Sequence, residues 1–160
     1  MRLKKYLTSA TILLLFLSGG VLVASSQSRN SRNYNFNYDS RGLDSTIRSL
    51  DAGTKRFVKF LDHELDRSRY NGSRFEDEIN HKATMFRVSV SRFERVYRSG
   101  ANERLLLYYA ERMLNQGADL NRMLRRAEIS REVDRQWEPI HEDLVSIARW
   151  HRTKGRNSNW

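Results

Sequence analysis

Two short motifs in this 160-residue chain have the spacing of metal chemistry. Glu78-Ile79-Asn80-His81 and Glu138-Pro139-Ile140-His141 each set a carboxylate three residues before an imidazole. On a helix that spacing brings both groups to neighbouring positions. Two such motifs, with one more Glu from each of two further helices, hold a pair of metal ions at the centre of carboxylate-bridged bundles. Glu64 is available as an extra ligand on one preceding helix, but only Asp119 lies near the matching depth on the other. Direction argues against a metal site. At about 100° per residue, Glu78 falls about 90° and His81 about 150° from the centre of their helix's apolar stripe. Glu138 falls about 130° and His141 about 70° from theirs. Ligands have to converge inside the bundle, and these diverge. The expectation is a solvated surface and no metal.

The remaining reactive residues are sparse. His63 faces away from its stripe. His151 lies on a stripe near a helix end, where a capping or half-buried role is expected. A haem held between Met and His would need Met113 opposite His151, because Met85 is off its stripe. The chain has no Cys, so it has no thiol nucleophile, disulfide or covalent haem attachment. No Gly-x-Ser-x-Gly, phosphate loop or dinucleotide fingerprint occurs. No sequence feature sets two carboxyl groups together in an apolar pocket for acid–base work. The reading is of a chain without catalytic residues and without a cofactor.

What remains is charge. Lys and Arg number 29 against 19 Asp and Glu, a formal net charge of +10, and 23 of the basic residues are Arg. Most alternate with acids, as in Asp62-His63-Glu64-Leu65-Asp66-Arg67, and read as a solvated face with pairs three and four residues apart. Arg122, Arg125 and Arg126 crowd a helix C-terminus, where the helix dipole alone favours them. Arg87, Arg95 and Arg98, on the back of a single helix, are the candidate anion-binding face. Forked guanidinium groups suit phosphate and carboxylate.

The elements that carry these groups begin after an address segment. Residues 1–26 have the form of a secretory signal peptide. Arg2, Lys4 and Lys5 lead, Leu7 to Leu17 is apolar, and small residues around Ala24-Ser25-Ser26 suit cleavage. Removing them takes three positive charges and no acid, leaving +7 of the +10. The alternative, an uncleaved anchor, is short, because Leu7 to Val23 is interrupted by polar residues and a Gly pair. Residues 27–42, QSRNSRNYNFNYDSRG, alternate Asn with aromatics and read as a disordered tether.

Four amphipathic helices follow. Leu43, Ile47, Leu50, Phe57, Leu61 and Leu65 make a stripe over about 43–69. Tyr70-Asn71-Gly72 ends it, and Ser73 with Glu76 forms a capping box for the second helix, whose stripe is Phe75, Ile79, Ala83, Phe86, Val90, Phe93 and Tyr97. Ser99-Gly100-Ala101 stops that helix. Asn102 caps a third over 103–127, with Leu106, Tyr109, Ala110, Met113, Leu120, Met123 and Leu124 inward. The stripe keeps its phase across Gly117, so one continuous helix is expected there. Ser130 caps a fourth over 131–152, with Val133, Trp137, Ile140, Leu144, Ile147, Ala148 and His151 inward, kinked rather than ended by Pro139. Residues 153–160 are expected to form a flexible tail. Short connections make successive helices antiparallel neighbours, so the fold class is all-α, an up-down-up-down four-helix bundle.

Leu61-Asp62, Leu65-Asp66-Arg67-Ser68-Arg69, Asn71-Gly72-Ser73-Arg74, Glu76-Asp77 and Ile79-Asn80 resemble a group of short exported bacterial helical proteins. Trp137, Ile140, Asp143-Leu144, Ile147-Ala148 and Trp160 look like that group's terminal helix and tail. The resemblance covers about 47–160 and departs from the group at Pro139. It implies export and a helical fold, but no activity and no functional residues. Together these readings lead to a non-enzymatic protein, periplasmic or extracellular, with a binding or structural role in a bacterial envelope. Its partner would be an anionic envelope polymer or a protein rather than nucleic acid. A homodimer would bury the off-stripe Val88, Leu105 and Tyr108. The alternative is a chaperone-like stress protein that holds unfolded clients on such a surface.

Overall fold

The structure, a computed structural model, describes residues 40–157. Four helices run through them: α1 (Ser40–Asp66), α2 (Arg74–Arg98), α3 (Glu103–Ala127) and α4 (Arg131–Asn157). The predicted signal peptide lies outside the described residues, as does nearly all of the predicted tether. Each helix packs on two neighbours: α1 on α2 and α4, and α3 on α2 and α4.

Cross-helix contacts fix the directions. Asp51 meets Ser91 and Asp62 meets Asn80, so α1 and α2 run antiparallel. Glu64 meets Ser130, and Gly53 lies against Ile140, so α1 and α4 are antiparallel. Asn121 meets Trp137, and Gly117 lies against Leu144, which gives the same relation for α3 and α4. This is the up-down-up-down four-helix bundle that the four stripes demand.

The stripes meet in one core. Ile47, Leu50, Phe57, Leu61 and Leu65 of α1 are almost fully buried, with Ile79, Ala83, Phe86, Val90 and Phe93 of α2. From α3 come Ala110, Met113, Leu114, Leu120 and Leu124; from α4 come Val133, Trp137, Ile140, Leu144, Ile147 and Trp150. Two aromatic groups organise it. Trp137 sits between Phe57 and Phe86, with ring centroids 5.2 and 5.7 Å away. Phe93 and Trp150 pair at 6.3 Å.

At Gly117, α3 approaches its neighbours closely. A Cβ built there would lie 2.8 Å from Leu144 Cδ1 and 3.1 Å from Phe86 Cε2. The helix is continuous through Gly117, and α4 is continuous through Pro139, which lies on its exposed side. The Pro ring removes the N–H that would otherwise bond the Arg135 carbonyl in the α4 ladder.

Several boundaries differ from the sequence reading. The first helix begins at Ser40, inside the segment predicted as tether. Ser45 and Thr46 hydroxyls bond back to the Gly42 carbonyl and support that first turn. It ends at Asp66 rather than near residue 69, because Ser68 returns both its N–H and its hydroxyl to the Leu65 carbonyl. Asn71 then reaches the Asp66 carbonyl with its side-chain amide. The left-handed residue, Gly72 (φ 71°), therefore shapes the connecting turn rather than the helix end itself. The last helix runs to Asn157, five residues into the predicted tail.

The α3 stripe is also rotated. Leu107, Leu114 and Ala118 are buried, whereas Leu106, Tyr109 and Met123 only pack against the edge of the core. Three consecutive leucines, 105–107, leave the phase undetermined by hydrophobicity alone. At the ends of the α2 stripe, Phe75 and Tyr97 are likewise partly buried.

The caps carry tertiary information. Ser73 accepts the Glu76 N–H at 3.2 Å, as a capping box requires, but Glu76 reaches back to the Gly72 N–H rather than to that of Ser73. The Ser73 N–H is already committed to the Tyr70 carbonyl. Asn102 accepts the Leu105 N–H at 2.9 Å. Ser130 accepts the Val133 N–H and donates to Glu64, tying the start of α4 to the end of α1. Glu128, in the left-handed region (φ 47°), ends α3, and the Tyr70 hydroxyl donates to the Ala127 carbonyl at 2.9 Å.

Two polar groups of α1 are buried. Asp51 is tied to Lys55 at 2.5 Å and accepts from the Ser91 hydroxyl of α2 at 3.0 Å. Thr54 is fully enclosed, and its hydroxyl has no hydrogen-bond partner. Such an orphan costs about 1–3 kcal/mol.

Candidate functional site

The two Glu-x-x-His motifs fall on α2 and α4, yet they do not converge. Glu78, His81 and Glu138 are exposed, and His141 is half-buried. Among the described residues, no three His, Asp or Glu side chains are grouped closely enough to hold a metal ion.

Glu138 and His141 instead line an open groove of about 740 Å³ between α3 and α4. Its cationic side chains, Arg125 and Arg131, face Glu128, Asp134 and Glu138 across a floor that includes Trp137. The charges nearly balance. The Trp137 indole N–H is already given to Asn121 at 2.9 Å.

The titrating groups with displaced pKa values are scattered. Burial pushes the His151 pKa down, against the opposing charge of Glu111 and a bond to the Leu107 carbonyl. Burial pushes Asp143 up, opposed by a bond from Ser49. Burial and the charge of Asp44 raise Tyr97. These three groups sit at separate positions and do not form an acid–base pair.

The three arginines singled out in the sequence are all exposed, but they do not form one cluster. Arg87 and Arg98 share a side of α2, yet they are eleven residues apart, about 16 Å along the axis. Arg98 is bound to Glu94 at 2.8 Å. Arg95 lies about 80° around the helix from Arg87.

Arg87 acquires different company. It lines a second groove, of about 450 Å³, with Lys55 and Lys59 of α1 around Val58 and Thr84. Lys55 and Lys59 are one helical turn apart, and the antiparallel register brings residue 87 level with Lys55 and about one turn from Lys59. Sequence reasoning missed the lysines because nothing local distinguishes them. Only the pairing of α1 with α2 creates the cluster.

The charge along this outer α1–α2 seam is uneven. At one end Arg48 pairs with Asp44 and Arg98 with Glu94. At the other, Asp62 accepts from Asn80 at 2.8 Å. In the middle, Asp51 partly neutralises Lys55. Lys59 and Arg87 have no carboxylate partner among the described residues. Arg122–Asp119 and Arg135–Glu132 are local pairs three residues apart on solvated helix faces. Such pairs contribute about 0.3–0.5 kcal/mol each.

Comparison of the chain with models of known families, with curated proteins and with solved structures returns no match.

Proposed function

We propose that this is a non-enzymatic helical-bundle protein with a binding or structural role in a bacterial envelope, meeting an anionic partner through its surface. One observation carries the reading. All four helices direct their apolar stripes into a single core, while Lys55, Lys59 and Arg87 border a groove on the α1–α2 seam that no carboxylate lines. The leader-like residues 1–26 and the resemblance to short exported helical proteins support placement outside the cytoplasm. A basic protein in that compartment encounters anionic polymers and headgroups rather than nucleic acid.

Affinity capture tests this reading. Full-length protein immobilised at low ionic strength should retain an anionic component of a solubilised envelope fraction and release it as salt is raised. Retention no greater than that of an unrelated helical bundle of equal net charge contradicts it.

A chaperone-like role is the second reading. Met85, Val88, Leu105 and Tyr108 are 41–49% exposed, more apolar surface than the fold needs to display. Suppression of client aggregation at equimolar protein, without salt-sensitive capture, favours that reading instead.

A further inference from the structure

We infer that the groove formed by Lys55, Lys59, Val58, Thr84 and Arg87 is a binding site for a phosphate ester. The inference rests on the anionic-partner reading above and names the chemistry of that partner.

The donor set fits a tetrahedral oxyanion. Lys55 and Lys59 project from successive turns of α1, and Arg87 comes from α2 across the seam. Two ammonium groups and a guanidinium fork thus border one depression. Thr84 adds a hydroxyl, and its side chain is exposed. No carboxylate lines the groove; Asp51, one turn from Lys55, is already held by Lys55 and Ser91. An Arg fork can engage two phosphate oxygens at once, and a Lys adds a compact charge.

The depression is larger than a bare anion needs. Its volume of about 450 Å³ lies within the usual range of small-molecule sites, about 300–1,000 Å³. Val58 and the aliphatic stems of the two lysines offer an apolar wall for the group to which the phosphate is esterified. An ester therefore fits the site better than inorganic phosphate.

The register explains why the site falls here. Toward one end Arg48 and Arg98 are paired with acids on their own helices, and toward the other Asp62 is bonded to Asn80. In the middle, Lys59 and Arg87 make no ion pair among the described residues. Lys59 and Arg87 are both exposed, so their charge is not required for folding.

The test uses purified full-length protein titrated with glycerol phosphate, with inorganic phosphate and with vesicles containing phosphatidylglycerol. Binding is followed by calorimetry and by amide chemical shifts. The expected result is that the glycerol ester binds more tightly than inorganic phosphate, with shifts centred on residues 55–59 and 84–87. The double variant Lys59→Gln/Arg87→Gln should lose about tenfold or more in affinity, because each charge-assisted bond contributes on that scale. The control Arg125→Gln/Arg131→Gln, in the α3–α4 groove, should bind as the parent does. Vesicle binding without ester binding supports the site if the double variant abolishes it, and identifies the source as a lipid headgroup. Unchanged affinity in the double variant, or shifts centred elsewhere, overturns the inference. If the double variant still captures an anionic envelope component, the anionic-partner reading stands and this site falls. If the parent captures nothing, both fall.

Discussion

Trp137→Ala should cost about 3–5 kcal/mol of folding stability. Trp137 is 6% exposed and is the contact point of three helices beyond its own. Its ring packs on Phe57 of α1 and Phe86 of α2, and its N–H satisfies Asn121 of α3. Truncation removes the largest side chain of the core centre, leaves a void between two phenylalanines, and takes away the Asn121 carbonyl's bond. Domains of this kind have about 5–15 kcal/mol in total, so a third or more of the stability is at stake. Urea denaturation followed by circular dichroism measures it. A loss below about 1 kcal/mol would mean that Trp137 is peripheral, since that is the scale of an ordinary surface or edge substitution.

The second large effect is at Gly117. Gly117→Val should destabilise the bundle at or beyond the upper end of the usual overpacking cost, about 1–3 kcal/mol. The first added carbon already lies 2.8 Å from Leu144 and 3.1 Å from Phe86, and both of those side chains are enclosed. Two further methyl groups have no free volume to enter. Gly117→Ala separates the causes. Helix propensity favours Ala by about 1 kcal/mol, so Ala should be much milder than Val, with Leu144 shifting its methyl end to make room. If Val were as stable as the parent in the same denaturation experiment, α3 and α4 would be packed less closely than described here.

The contrast between these two residues shows what the chain announces about itself. Trp137 stands on an apolar stripe at helical spacing, and its burial follows from periodicity. Gly117 also falls on its stripe, which foretold continuity of α3, but the closeness of Leu144 and Phe86 is a property of three helices together. The same distinction separates the arginines from the lysines at the candidate site. Arg87 was noticeable in an Arg-rich helix. Lys55 and Lys59 matter only because antiparallel register sets them across from it, and register is not written in either helix alone. Arg98 lost its apparent freedom to Glu94, one turn away on the same helix. In α3, consecutive leucines at 105–107 blurred the phase, and packing buried Leu107 instead of Leu106. Trp150 was missed beside His151, although it packs on Phe93 at the end of the core. Helix ends were legible where a single side chain decides them, as at Asn102. They were not legible where a backbone group was already committed elsewhere, as with the Ser73 N–H.

Four helices share one apolar interior, which leaves partner chemistry to the surface. Equilibrium unfolding in urea, read in parallel by tryptophan fluorescence and far-ultraviolet circular dichroism, tests this most directly. Fluorescence reports the core around Trp137 and Trp150, and dichroism reports every helix. One core predicts superimposable curves with a single midpoint. Two separated transitions, with the tryptophan environment lost while much of the helical signal persists, would contradict it.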